Sequence, residues 1–498
     1  MTMKHVKRLA SLLLALTLVF ALAATAAAEG TTYSITINNS ATGHTYEAYQ
    51  IFTGDLSEGK LSNIVWGSGI SEAGKTALGD AAAKAETLKT EADAKAFAKE
   101  VAPYLTTAAG SSNTVTDGKY VISGLTAGYY LVKDKDGSLN GDNDAYTEYI
   151  VKVVSDTTAT PKSSVPTVEK KVKDINNSTD DAMTNWQDSA DHDIGDSIPF
   201  RLTATLANNV SSYTTYKVVF QDTLSKGLTY NNDAKVYIGG TETNGFTVTP
   251  TVETDGTTLT VSCDDVKALG AGNSSVITVE YTATLNENAV LGSAGNPNEV
   301  VLEFSNNPNG EDTGRTPKDV VIVFTYKTII NKVTKNPDYN SEQAGSKEYI
   351  PLTGAEFRLE KYNKETDKWK AITVVKDQEG TVFTFSGLDD GKYRLTETTT
   401  PAGYNSIDPI EFTITAEHNE TSDNPQLTSL SGNATTGEIT FTPSVSDGSL
   451  STDIVNQSGS TLPETGGVGT TLFYVLGGIL VAGAVVLLVT KKRMNSAE

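Results

Sequence analysis

The segment TPKSSVPTVEKKVKD, Thr160 to Asp174, concentrates Lys162, Lys170, Lys171 and Lys173 in a chain of 498 residues whose formal net charge is −22. Two of these amines are oddly placed. Lys162 follows Pro161 in a loop, and Lys170 alternates with Val168 and Val172, which turns it toward a core and leaves Lys171 outward. A second lysine, Lys332, stands inside the apolar run IINKV, and an acid, Asp222, shares a strand face with Val218 and Phe220. Burial lowers the pKa of an amine and raises that of a carboxyl, so both tend to neutrality. A neutral amine beside a side-chain amide polarised by a carboxylic acid is a nucleophile held against its electrophile. Attack on an Asn side-chain carbon with loss of ammonia would give a covalent cross-link, once per molecule.

Strands must position these groups. From about Glu29 to Thr160, TYSITINN, HTYEAYQIF, KYVISGL, GYYLVKD and YTEYIVKVV alternate like strands, while Ser71 to Leu105 is rich in Ala, Lys and Glu and predicts helix. From Pro161, IPFRLTATL, YKVVFQDTL, LTYNNDAKVYIGG, TLTVSCDD, SVITVEYTATL and EVVLEFSNN are short strands separated by Asn, Gly and Asp turns, the pattern of a β-sandwich. A third strand-rich segment runs from about Tyr326 to Gln457, and Ser458 to Thr470 is a Gly/Ser/Thr linker. The expected fold is all-β: three tandem immunoglobulin-like sandwiches, the first with a helical insertion. GLTAGYYLVKD (Gly124–Asp134) echoes GLDDGKYRLTE (Gly387–Glu397), so the first and third sandwiches share a pattern that aligns Asp134 with Glu397.

The acidic balance argues against a nucleic-acid partner. One cysteine, Cys263, excludes an intrachain disulfide and reads as a small core residue. Four histidines leave little for metal or triad chemistry. Asp188, Asp191, Asp193 and Asp196 cluster in WQDSADHDIGD; calcium could bind there, but without EF-hand glycine spacing a solvated acidic turn is the better reading, and no metal or cofactor is expected.

At the N-terminus, Lys4, Lys7 and Arg8 precede an apolar run, and Ala26-Ala27-Ala28 before Glu29 suits a signal peptidase, so residues 1–28 read as a Sec signal peptide cleaved at Ala28/Glu29. At the C-terminus, Leu462-Pro463-Glu464-Thr465-Gly466 is followed by an apolar run, 472–490, long enough to span a bilayer, and by a basic tail, 491–498. Motif, span and tail in this order resemble the cell-wall sorting signal of Gram-positive bacteria. The resemblance implies cleavage between Thr465 and Gly466 by a sortase, whose cysteine holds the Thr465 carbonyl as an acyl-enzyme awaiting an amine.

Over nearly its whole length the chain resembles the backbone (major) pilins of Gram-positive bacteria, the Spa-type shaft subunits. The resemblance implies an N-terminal pilin domain at 29–160, an isopeptide-forming fimbrial domain at 161–325, a collagen-adhesin B-type domain at 326–457 and a linker with the LPETG motif at 458–471. It also implies domains stapled by Lys–Asn isopeptide bonds near an acid. In the third segment YRLTETTTPAGY matches the family's Glu-bearing motif, which makes Glu397 the acid, Lys332 the amine and Asn456, in TDIVNQSG, the acceptor. In the second, Lys170 and Asp222 are amine and acid, and the acceptor is Asn298 or Asn306. Asn298 is preferred because it lies 128 residues from Lys170, as Asn456 lies 124 from Lys332. The first strand of the first segment has no lysine, so no such bond is expected there. Lys162 matches the family's pilin-motif lysine, although Thr160 replaces the usual tyrosine, and would be joined to Thr465 of another subunit. The implied protein is not an enzyme but the shaft subunit of a covalent pilus on the cell wall, contributing to adhesion. Its partners would be pilus-specific and housekeeping sortases, other copies of itself, tip and base pilins, and peptidoglycan. The alternative is a monomeric wall-anchored adhesin, which shares the LPETG motif but needs no Lys162.

Overall fold

The computed structural model describes residues 31–139, 143–161, 164–179, 183–373, 375–459 and 468–494. Three β-sandwiches follow one another, as the alternating runs require. In the first, a three-stranded sheet centred on Tyr33–Asn38 faces a sheet that includes Lys60–Trp66, Tyr46–Ser57, Gly128–Asp134 and Glu148–Val153. The Ala-rich insertion forms helices Glu72–Leu78, Ala81–Thr87 and Glu91–Val101. Ser71 caps the first by accepting from Gly74 N, and a reciprocal Thr90–Asp93 capping box starts the third. Phe97 and Val101 pack the third helix onto Ile51 and Phe52 of the sheet.

In the second sandwich, one sheet contains Thr167–Val172, Ser197–Thr205 and Val276–Leu285, and the facing sheet contains Val218–Ser225, Asn296–Ser305 and Asp319–Phe324. Phe200, Leu202, Phe220, Leu302 and Phe304, all fully buried, fill the space between. Cys263 lies in this core as expected. The run LTYNNDAKVYIGG is two strands, Leu228–Tyr230 and Lys235–Ile238, because Asn232 takes a positive φ of 60° and breaks the ladder.

The third sandwich begins at once. Phe324 ends the last strand of the second and already belongs to the third core, and Tyr326–Lys335 opens the next sheet. That strand pairs in parallel with the final strand Ser449–Val455, Lys332 opposite Ile454. Gly391–Thr399 lies in the opposite sheet, beside Glu356–Asn363. At the seam between the second and third sandwiches, Gly292 and Gly448 (φ +76° and +58°) meet so closely that a Cβ on Gly292 would lie 2.4 Å from Gly448 N.

The acidic cluster is not the solvated turn expected from its sequence. Ser189–Asp191 is a strand that pairs in parallel with Asp319–Phe324, and Asp188, Asp191 and His192 are buried. The third sandwich covers them: Asp188 N donates to Glu420 O (2.9 Å), Ile194 N to Gly387 O (3.0 Å), and Lys361 Nζ bridges Asp193 and Asp389 at 2.8 Å each. A turn that looks solvated by composition is thus an inter-sandwich joint, its charge met by residues some 170–230 positions away. Beyond the third sandwich, Val468–Met494 forms one helix, with an apolar, fully exposed stretch at Val475–Lys492.

Candidate functional site

Strand alternation delivers Lys170 to the interior of the second sandwich with 0% exposure, alongside Val172, and leaves Lys171 half-buried against Asp188. Across the core, Asp222 and Asn298 come from neighbouring strands of the opposite sheet, where Asp222 pairs with Val300 and Leu224 with Asn298. Lys170 Nζ donates to Asp222 Oδ1, and its amine lies 5.5 Å from the ring centres of both Phe200 and Tyr281. Burial pushes the Lys170 amine below its ordinary range, against the pull of the adjacent carboxylate, and pushes the Asp222 carboxyl up. Both shifts favour the neutral amine and the neutral acid.

Asn298 does not touch Asp222 directly. Its Nδ2 donates to the Tyr281 hydroxyl at 2.8 Å, that hydroxyl donates to Asp222 Oδ2, and Lys170 Nζ donates to the same hydroxyl at 3.1 Å. Asn298 Oδ1 is buried and has no hydrogen-bond partner. Asn306, the other acceptor weighed from sequence, lies elsewhere. It is buried at the joint with the first sandwich, where its backbone carbonyl accepts from Tyr146 N (2.9 Å) and its Nδ2 donates to Asp144 O (3.4 Å).

In the third sandwich the three groups meet without an intermediary. Lys332, fully buried, sets its Nζ 3.1 Å from Glu397 Oε1. Asn456 Nδ2 donates to Glu397 Oε2 at 3.1 Å and to Asn405 O at 2.8 Å, while Asn456 N donates to Val333 O (3.1 Å), one residue from the amine. Burial lowers the Lys332 pKa. Asn456 Oδ1 is also buried without a partner. The two constellations differ in topology. Lys332 sits on one strand, and Asn456 directly follows the adjacent parallel strand of the same sheet, with the acid opposite; Lys170 and Asn298 sit in opposite sheets, and two further strands follow Asn298 in the same sandwich.

Asp134, the counterpart of Glu397 in the first sandwich, is buried and faces His44 rather than a lysine. His44 Nδ1 lies 2.6 Å from Asp134 Oδ1 and its Nε2 2.5 Å from Asp144 Oδ2, with Tyr46 stacked on the ring. Burial alone would lower the His44 pKa, but hydrogen bonds and charge from the two carboxylates lift it to about 9. Sequence reasoning set the histidines aside, yet His44, His192 and His418 are all largely buried beside carboxylates. The signal was present in HTYEAYQIF, where His44 shares a face with Tyr46 and Ala48. At the inter-sandwich joint, Asp174, Asp191 and His418, and likewise Asp191, Asp389 and Asp390, bring ligand atoms within 4.8 Å of one another, a spacing that admits a cation. His418, whose pKa the neighbouring aspartates raise to about 10 despite its burial, supplies positive charge there itself.

Lys162, the LPETG residues Leu462 to Gly466 and the Ala28/Glu29 junction lie outside the described residues.

Three stretches of the chain match known families. Residues 194–308 match the Gram-positive pilin backbone subunit 2, Cna-B-like domain; residues 340–426 match the SpaA prealbumin-like fold domain; residues 454–496 match the LPXTG cell wall anchor motif. The trypsin-resistant surface T6 protein of Streptococcus pyogenes serotype M6 is 25% identical over 430 residues, covering 72% of this chain and 74% of the relative. The solved T6 backbone pilin of serotype M6 Streptococcus pyogenes, described as a modular three-domain structure, matches with TM-score 0.55 at 18% identity, over 87% of this chain and 100% of that one. The full-length major pilin SpaD from Corynebacterium diphtheriae matches with TM-score 0.47 at 19% identity, over 86% and 98%. A backbone-subunit domain on the second sandwich, a prealbumin-like domain on the third and a wall-anchor motif at the C-terminal end, in that order, are those of a Gram-positive backbone pilin, the cell-wall-anchored shaft subunit of a sortase-assembled pilus.

Proposed function

We propose that this shaft subunit carries two internal Lys–Asn isopeptide bonds, Lys170–Asn298 promoted by Asp222 and Lys332–Asn456 promoted by Glu397. The single observation behind this reading is the repeated trio: a fully buried amine of lowered pKa, a carboxyl in contact with it, and a buried Asn amide whose carbonyl oxygen has no partner. The amine attacks the amide carbon, the carboxyl moves protons, and ammonia leaves. Nothing turns over, so Asp222 and Glu397 each act once in the life of the molecule. A contrasting buried lysine sharpens the reading. Lys361 lies between Asp193 and Asp389, which outweigh its burial and hold its pKa well above the ordinary value; it is an ion-pair partner, not a nucleophile. The Streptococcus pyogenes relative is named for trypsin resistance, a property that covalent ties across sandwiches would supply.

The same reading joins subunits through the Lys162 amine, which takes the Thr465 acyl group from the sortase and passes the shaft on head to tail. Such a contact is heterologous and does not close. Pro161, which has no backbone N–H to donate, directly precedes Lys162 in the sequence. Intact mass and peptide mapping of the chain from Glu29 to Thr465 test the internal bonds. A deficit of about 34 Da, two ammonia molecules, is expected. A mass equal to that of the sequence sinks both.

A further inference from the structure

The two constellations differ by one hydroxyl. In the third sandwich Glu397 touches amine and acceptor with its own two oxygens. In the second, the acid is one methylene shorter. Asp222 reaches Lys170, and Tyr281 fills the remaining gap to Asn298. Three hydrogen bonds converge on the Tyr281 oxygen, from Asn298, to Asp222 and from Lys170, and the residue is 3% exposed. Its ring is held by stacking on Phe200 at 5.5 Å and by an edge contact with Tyr230 at 5.7 Å. Nothing in packing the core calls for a hydroxyl at this point, since Phe200 beside it does without one. Burial and the adjacent Asp222 raise the Tyr281 pKa well above its ordinary value, so the hydroxyl keeps its proton and serves as a conduit rather than as a base.

We propose that Tyr281 is a catalytic residue of the second sandwich, relaying a proton from Asp222 to the leaving nitrogen of Asn298. The proposal rests on the Lys170–Asn298 cross-link described above. Neutral Lys170 Nζ attacks Asn298 Cγ, and the carbonyl pair moves onto Oδ1. In the planar amide Nδ2 is not basic, so it donates to the Tyr281 oxygen. Once Cγ is tetrahedral Nδ2 becomes an amine and the hydrogen bond reverses. Tyr281 gives its proton to Nδ2 and takes one from Asp222 Oδ2. The Cγ–Nδ2 bond breaks, ammonia leaves with the bonding pair, and the Oδ1 pair restores the carbonyl. The surplus proton on Nζ passes to Asp222 Oδ1, leaving the acid protonated as it began. Acid and hydroxyl together span what Glu397 spans alone.

The test follows the cross-linked peptide joining Lys170 to Asn298 after a labelled pulse, in the chain from Glu29 to Thr465, with the Lys332–Asn456 peptide as internal control. Tyr281→Phe is expected to slow the first by about a hundredfold, the lower end of general acid–base contributions, and to leave the second unchanged. Where Tyr281→Phe weakens folding, 3-fluorotyrosine at position 281 keeps shape and hydroxyl while lowering the phenol pKa. It is expected to shift the pH dependence of linkage in the second sandwich alone. Linkage of Tyr281→Phe at the wild-type rate overturns the relay, as does a fluorotyrosine protein whose pH profile is unmoved. A wild-type chain that shows only the Lys332–Asn456 peptide refutes instead the cross-link on which the relay depends.

Discussion

Glu397→Gln isolates the covalent tie proposed for the third sandwich. Glutamine keeps the size of the side chain and can still meet Asn456, but it has no carboxyl proton to move between Lys332 and the leaving nitrogen. The Lys332 amine keeps the burial that lowers its pKa. The bond would close a loop of 124 residues between Lys332 and Asn456. Cross-linking a chain over such a loop removes unfolded-state entropy worth about 5 kcal/mol near room temperature. For a domain of this size each kcal/mol moves the melting temperature by roughly 3–5 °C, so the third sandwich should melt about 15–25 °C lower in the variant. Two assays bear on the outcome. Intact mass should show the deficit against the variant's own sequence falling from about 34 to about 17 Da, one ammonia retained. Calorimetry should show the third transition moving while the second stays. A deficit that remains at two ammonia molecules removes Glu397 from the chemistry. A deficit that halves with a shift of under about 5 °C refutes the loop-entropy account of what the bond does.

Lys162→Arg should abolish the high-molecular-weight ladder on producing cells while monomer is still exported and anchored, because guanidinium does not deprotonate in proteins; a full ladder would move the linkage to another lysine. The first sandwich, held by His44 between two carboxylates, should be pH-sensitive. A histidine pKa raised in the folded state stabilises fully below its unfolded value of 6.5, and the contribution is lost as pH rises through about 9. Denaturant titrations from pH 6 to 10 should therefore show a loss on the order of 3 kcal/mol in this domain, absent in His44→Gln; a flat wild-type profile would contradict the ion-paired imidazolium. Lys361→Ala leaves Asp193 and Asp389 facing each other at the joint of the second and third sandwiches. It should cost roughly 3–5 kcal/mol, read in denaturant titrations as lower midpoints for the second and third sandwiches; unchanged midpoints would show that Lys361 does not hold the seam.

Much of this molecule is local and therefore legible in its sequence. Period-two alternation set the strands and turned Lys170 and Asp222 inward, because neighbouring residues on a pleated strand face opposite sides whatever lies beyond. The apolar helix with its LPETG motif and basic tail is likewise a local pattern. What sequence could not supply was the identity of the surfaces that meet across distance. Asn298 and Asn306 lie eight residues apart on or beside one strand. Only the packing of the first sandwich against the second gives Asn306 to the joint and Asn298 to the core. Tyr281 looked like any strand aromatic until Phe200 and Asp222 fixed where its hydroxyl points. The acidic stretch Asp188–Asp196 looked solvated because the third sandwich that buries it lies far along the chain. Burial, and with it the pKa of every buried amine and acid here, depends on what covers a group; alternation says only which way that group faces.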